Sequence, residues 1–223
     1  MEIWLDSIDL ETIQTATEMG LLHGITTNPS LIAKNSRQTM RELLPSLLLI
    51  QKGPVTAQVL SRNASSMVEE ARSFFALSSR IIVKIPATRE GFIAMRRLSA
   101  LSIPVMATAV YSPLQVLLSC KAGAGYVAIY LSRVFDSGED GFTILERMYN
   151  LMRHYQMEAK LMAASIRSLE QMERCLAIGI PSITISPKIF SELILDNPFT
   201  LERLDSFEKD WKLKDASLGN PLV

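Results

Sequence analysis

Short apolar runs recur along the chain: IWLD (3–6), GITTN (24–28), VTAQVL (55–60), RIIVKI (80–85), PVMATA (104–109), GYVAIY (125–130), KLMAAS (160–165) and PSITIS (181–186). Each has the length and residue mix of a strand. Between them lie longer stretches in which apolar residues return every three or four positions, the helical period. In DLETIQTATEMG, Asp9 reads as an N-cap and Gly20 as a stop. SSMVEEARSFFALSS aligns Met67, Ala71, Phe74 and Phe75, and DGFTILERMYNLMRHY aligns Ile144, Met148, Leu151 and Met152. REGFIAMRRLSALSI repeats the spacing. Strands alternating with helices predict parallel βα units, and eight such units predict a closed (β/α)8 TIM barrel. An open doubly wound sheet is the rival, but neither a GxGxxG nor a P-loop favours it. With no Ser/Gly/Pro-rich linker, residues 1–223 are expected to form one domain. A last amphipathic helix, about 201–213, follows the eighth unit through Leu201, Leu204, Phe207 and Trp211. It is able to pack on its own barrel or on a neighbouring subunit.

Side chains alternate along a strand, so every second residue shares a face. In RIIVKI, Ile82 and Lys84 face one way and Ile81, Val83 and Ile85 the other. Read this way, the strand ends carry Asp6, Asn28, Gln58, Lys84, Thr108, Tyr130 and Ser165 towards one rim. The C-terminal rim is where barrel active sites lie. Lys84 has two readings. Its stem is buried and its head snorkels to solvent, or desolvation lowers its pKa and leaves a neutral amine that attacks carbonyls. The company of Asp6, Asn28 and Tyr130 favours the second. Lys34, Lys52 and Lys121 sit among polar neighbours and read as solvated.

Composition narrows the partners. Apolar residues make up 48% of the chain, enough for a substantial core. The 23 basic and 23 acidic side chains cancel, giving no global field for nucleic acid or an anionic membrane. An anionic substrate must be held by a few local cations. Arg133 follows the sixth strand, and Ser165 and Arg167 follow the seventh. Two guanidiniums and a hydroxyl on neighbouring loops suit a phosphate. Cys120 and Cys175 lie in apolar helical contexts and read as core thiols. His23 and His154 have no second ligand at metal spacing, so no metal is expected. The start, MEIWLDSIDL, has no signal-peptide pattern, and no apolar run approaches the ~20 residues of a membrane span. A cytoplasmic protein is expected.

LDS near the start, GITTNPSLIA (24–33), VTAQV, IIVKIPAT (81–88), ATAVYSPLQ (107–115), KAGAGYVAIYLSR and MAASIRS (162–168) together resemble the transaldolase family. The likeness is greatest to its short branch, the fructose-6-phosphate aldolases. The resemblance implies a (β/α)8 barrel in which Lys84 forms a Schiff base with fructose 6-phosphate or dihydroxyacetone. It implies that Asp6 and Asn28 bind substrate hydroxyls, that Asp6 also moves a proton, and that Thr26 lines the pocket. Gln58, Thr108 and Tyr130 would hold a catalytic water, and Arg133, Ser165 and Arg167 the phosphate. No cofactor is expected. A homo-oligomer, with pentamers paired into decamers, is implied by the same likeness.

Gln58 and Tyr130 match the aldolase branch, where transaldolases usually carry Glu and Phe. The leading expectation is therefore an aldolase making or cleaving fructose 6-phosphate. The alternative is a transaldolase that passes a dihydroxyacetone unit between sugar phosphates. A non-catalytic oligomeric barrel is more remote. Ile129, Leu131, Ser132, Arg167 and the segment VFDSGEDG depart from the aldolase pattern, which bears on the choice of substrate.

Overall fold

The computed structural model describes residues 1–136 and 138–218. Eight parallel strands close into a barrel in chain order. They are β1 (Glu2–Asp6), β2 (Gly24–Thr26), β3 (Val55–Gln58), β4 (Ile81–Pro86), β5 (Val105–Val110), β6 (Tyr126–Tyr130), β7 (Lys160–Ala164) and β8 (Ser182–Ile185). The helices are α1 (Leu10–Glu18), α2 (Pro29–Asn35), α3 (Met40–Ile50), α4 (Ala64–Phe75), α5 (Arg89–Ala100), α6 (Pro113–Lys121), α7 (Leu131–Asp136), α8 (Gly141–His154), α9 (Leu169–Ile178), α10 (Pro187–Leu193) and α11 (Pro198–Leu218). The expected barrel and extra C-terminal helix are both present, though α11 is longer than 201–213. The chain divides into two compact units, Met1–Phe190 and Ser191–Val223. The first contains the whole barrel.

Asp9 caps α1 by accepting the Thr12 N–H, as its position before an apolar-periodic run predicts. Strand alternation sorts the barrel's two cores. Leu5, Ile25, Val55, Ala57, Ile81, Val83 and Ile85 point outwards under the helices and are fully buried. Trp4, Ile82, Met106, Ala128 and Met162 fill the barrel's interior below the rim. Gly24 makes room for this plug, because a Cβ there would lie 2.7 Å from the Trp4 ring. Burial of each large side chain stabilises the fold by about 1.5–3 kcal/mol.

One register step above that plug, the interior turns polar. Gln58 pairs with Lys84, Pro86 with Thr108, and Tyr130 with Ala164. Two left-handed residues break the alternation at the rim. Ala109 (φ 55°) lies where the β5–β6 register shifts, and Ser165 (φ 62°) follows β7. Ser165 was expected at the rim by simple alternation. The inward position by parity is Ala164, and it is the left-handed turn that carries Ser165 into the mouth. Asn28 likewise lies beyond the end of β2, as the cap of α2.

The opposite end of the barrel is tied by charge. Glu2 accepts from Lys160 Nζ at 2.6 Å and from the Tyr126 hydroxyl at 3.1 Å, and His23 lies 3.5 Å away. In unit 2, α11 exposes Leu201, Leu204, Phe207 and Trp211, each about half accessible. Among the described residues no helix is long and apolar enough to cross a membrane.

Candidate active site

Lys84 projects from the middle of β4 into the barrel mouth and is 4% exposed. Its Nζ donates to the Thr27 carbonyl at 2.9 Å. Burial depresses its pKa and the nearby Asp6 charge only partly opposes that. Asp6 ends β1. Its carboxylate accepts from Thr26 Oγ1 at 2.9 Å and from Asn28 Nδ2 at 3.3 Å. Burial raises the Asp6 pKa, against the pull of Lys84 and these two donors. Burial thus moves the two groups' pKa values towards one another, the Asp6 carboxyl up and the Lys84 amine down, and each charge in turn favours the other's charged form.

Local structure orients the donors. Asn28 Oδ1 accepts the Leu31 N–H at the start of α2, so its amide nitrogen is turned towards Asp6. Thr26 gives its hydroxyl proton to Asp6 and lies 2.6 Å from the Thr184 hydroxyl, which then donates to it. Across the mouth, Thr108 Oγ1 donates to the Tyr130 hydroxyl at 3.1 Å. Burial raises the Tyr130 pKa, so the phenol keeps its proton at neutral pH. Gln58 Oε1 is buried and accepts no hydrogen bond from the protein.

These groups enclose a hollow of about 450 Å³, lined by Asp6, Thr26, Asn28, Gln58, Lys84, Tyr130, Arg133 and Ser165 among others. A second hollow of about 270 Å³ adjoins it through Asp6, Arg133, Ser165 and Thr184, and adds Arg167, Ser132 and Ser186. The expected catalytic and phosphate groups other than Thr108 therefore line one or both of two hollows that share Asp6, Arg133, Ser165 and Thr184. Thr108 reaches the first through Tyr130. A larger hollow, about 1010 Å³, lies away from the barrel mouth around Cys120 and Tyr155. Burial pushes the Cys120 thiol up to about 11, so it carries no reactive thiolate at neutral pH.

Sequence reasoning did not find three neighbours, Thr184, Thr27 and Asp136, and marked Ser132 only as a departure from the aldolase pattern. Thr184 is the inward residue of β8, and the same alternation that found Lys84 contains it. Thr27 meets Lys84 through its backbone, which no side-chain pattern reveals. Ser132 is buried beside Arg133. Asp136, at the end of α7, places Oδ2 3.5 Å from Arg133 Nη1 and 3.7 Å from Arg167 Nη2. Both arginines thus already share a carboxylate. Among the described residues, no group of three or more His, Cys, Asp or Glu side chains is arranged to hold a metal ion.

A closed parallel barrel with a desolvated lysine and a carboxylate at its C-terminal mouth is the layout of a Schiff-base enzyme. A profile of the Transaldolase/Fructose-6-phosphate aldolase family matches residues 3–218. The chain is 37% identical over 214 residues to a protein of Thermoplasma volcanium named "Probable transaldolase", covering 95% of this chain and 96% of that one. A protein of the same name from Caulobacter vibrioides is 36% identical over 223 residues and the whole of both chains. "Probable transaldolase 2" of Listeria monocytogenes is 34% identical over 220 residues, covering 99% of this chain and all of the relative. The chain belongs to the transaldolase/fructose-6-phosphate aldolase family. Among solved structures, a mandelate oxidase variant superposes with a TM-score of 0.55 at 13% identity, over 83% of this chain and 63% of that one. A Pediococcus acidilactici protein described as a lactate oxidase gives 0.58 at 11%, over 83% and 62%. These two likenesses concern the barrel fold alone.

Proposed function

We propose that the protein is a transaldolase: Lys84 takes a dihydroxyacetone unit from a ketose phosphate as a Schiff base and passes it to an aldose phosphate. The carrying observation is the Lys84 amine, 4% exposed, with its pKa depressed by burial beside Asp6. A neutral amine attacks the ketone, and loss of water leaves a protonated imine that serves as the electron sink. Asp6 accepts the hydroxyl proton whose loss cleaves the carbon–carbon bond, and Asn28 and Thr26 hold it in place. The three-carbon enamine stays on Lys84 until an aldehyde arrives. Gln58, Thr108 and Tyr130 hold the water that moves protons to and from the enamine. Arg133, Ser165 and Arg167 bind the phosphate. Transfer is favoured over release by the relatives, which carry transaldolase names along nearly their whole length.

One observation favours the second reading, an aldolase that releases dihydroxyacetone. The protonated Tyr130 phenol, held by Thr108, is a ready donor to the enamine carbon. Rates with fructose 6-phosphate, with and without erythrose 4-phosphate, separate the two. Transfer predicts turnover that requires the acceptor. Equal or faster cleavage without it favours the aldolase.

Residues 1–223 act as one functional domain in this reading, a view supported by a family profile that runs across both units. The protein is also proposed to be a cytoplasmic homo-oligomer. The exposed apolar row of α11 supports association. The solution mass tests it, and a monomer at micromolar concentration would contradict it.

A further inference from the structure

The seam between β2 and β3 is unusual, and it opens beside Lys84. Only Ile25 and Val55 are in register there, with the Ile25 N–H donating to the Pro54 carbonyl. A regular parallel ladder would next send the Thr27 N–H to the Thr56 carbonyl. Instead the Thr27 N–H donates to Thr56 Oγ1 at 2.9 Å, and Thr27 Oγ1 donates to the Thr56 carbonyl at 2.7 Å. Two hydroxyls are interposed in the ladder, and the strands part at the rim. Both threonines are fully buried. The Thr27 carbonyl accepts from Lys84 Nζ at 2.9 Å.

We propose that Thr56 is a positioning residue for Lys84, acting through the backbone of Thr27. A neutral lysine amine has two N–H bonds and one lone pair. Donating one N–H to a fixed carbonyl stops rotation about the terminal bond and sets the direction of the lone pair. When the amine adds to a ketone, the new C–N bond forms and the carbonyl π pair moves to oxygen. Water then leaves with one amine hydrogen and one acid proton, giving C=N⁺–H. The remaining N–H still faces the Thr27 carbonyl, whose partial negative charge stabilises the protonated imine. Thr56 touches neither the amine nor the reacting carbon in this arrangement. It sets where the Thr27 carbonyl stands. This role rests on the Schiff-base reading of Lys84.

The test compares the full-length wild type with Thr56→Val, Thr56→Ser and Thr27→Val. Dihydroxyacetone adducts are trapped with borohydride across pH and quantified by intact mass, alongside kcat and KM for fructose 6-phosphate turnover. Thr56→Val keeps the side-chain volume and removes the hydroxyl. It is expected to slow trapping and lower kcat by roughly tenfold or more, with KM changed less than about threefold. Its trapping midpoint should move to lower pH, because a misplaced Thr27 carbonyl no longer favours the charged amine. Thr56→Ser restores the hydroxyl and should remain near wild type. Thr27→Val keeps the N–H bond to Thr56 and should keep the wild-type trapping midpoint; if Thr56→Val fails to fold, Thr56→Ala takes its place, with the same loss and shift expected. A folded Thr56→Val protein with wild-type rate and midpoint would overturn the proposal. So would Thr56→Ser as impaired as Thr56→Val, which would mean packing alone. A folded wild type that forms no adduct would overturn the Schiff-base reading itself, a distinct result.

Discussion

At the residue scale, the proposed chemistry rests on a lysine and an aspartate whose charges burial opposes and whose mutual attraction partly restores. Removing the Asp6 charge should lower the Lys84 pKa further, since Asp6 is what partly restores it. Asp6→Asn is therefore expected to shift the acid limb of adduct formation to lower pH while carbon–carbon cleavage falls by about 10²–10⁴-fold. A pH series of trapping and turnover reads both. Tyr130→Phe should raise the ratio of transfer to cleavage by roughly tenfold, because proton donation to the enamine is lost; paired assays with and without acceptor measure it. Asp136 occupies both arginines with exposed ion pairs worth about 0–1 kcal/mol each. A phosphate must compete with it. Asp136→Asn is expected to lower KM for a phosphorylated donor about three- to tenfold and leave that for dihydroxyacetone unchanged. An increased KM for the phosphorylated donor would instead mean that Asp136 holds the arginines ready. Apart from Thr184, which shares the inward parity but was passed over, the side chains that line the mouth were legible because each sits on the inward parity of a strand or just past its end. Thr27 and Asp136 were not. One works through a backbone carbonyl, and the other depends on how a short helix turns after β6.

At the scale of the elements, all eight strands were legible, because a strand buried on both faces is an apolar run bounded by turn residues. Their ends were not. β2 stops at Thr26 because Asn28 is already extended into the cap of α2. Ser165 and Ala109 adopt left-handed backbone that L residues rarely take, and nothing in their side chains announces it. α7 follows β6 without a loop, and the sequence showed it only as an unfamiliar segment. Tertiary contacts also finish elements that propensity leaves open. Arg80, just before β4, donates to the carbonyls of Leu48 and Gln51 at the end of α3 and of Gly53 beyond it. Arg80→Leu leaves those groups short of a partner and should cost roughly 2–3 kcal/mol. Thermal unfolding would register this as a Tm lower by about 4–12 °C, with adduct formation by the folded protein retained. An unchanged Tm would mean that water replaces the guanidinium fully.

For the whole molecule, the barrel keeps its two ends for different tasks. The mouth gathers groups whose charges are strained by burial, and the far end is closed by Glu2 with Lys160, Tyr126 and His23. Burial alone would raise the Glu2 pKa, but the Lys160 hydrogen bond and the neighbouring charges win and lower it below 4.5. The unfolded chain then takes up this proton first as pH falls. Glu2 accordingly stabilises the fold fully above about pH 4.5 and loses that contribution as pH drops through its lowered folded value. Glu2→Gln should cost about 1–2 kcal/mol at pH 7 and much less at pH 3, as denaturant unfolding at both pH values would measure. Closure of the barrel followed from counting βα units. The exposed apolar row on α11 did not declare its partner, because periodicity reveals an apolar face but not what covers it. The central claim, that Lys84 is the Schiff-base nucleophile, is tested most directly by borohydride reduction with dihydroxyacetone or fructose 6-phosphate followed by peptide mapping. The account predicts a single three-carbon adduct, on the peptide containing Lys84 and lost in Lys84→Met. A folded protein that gives no adduct, or an adduct on another lysine, would contradict it.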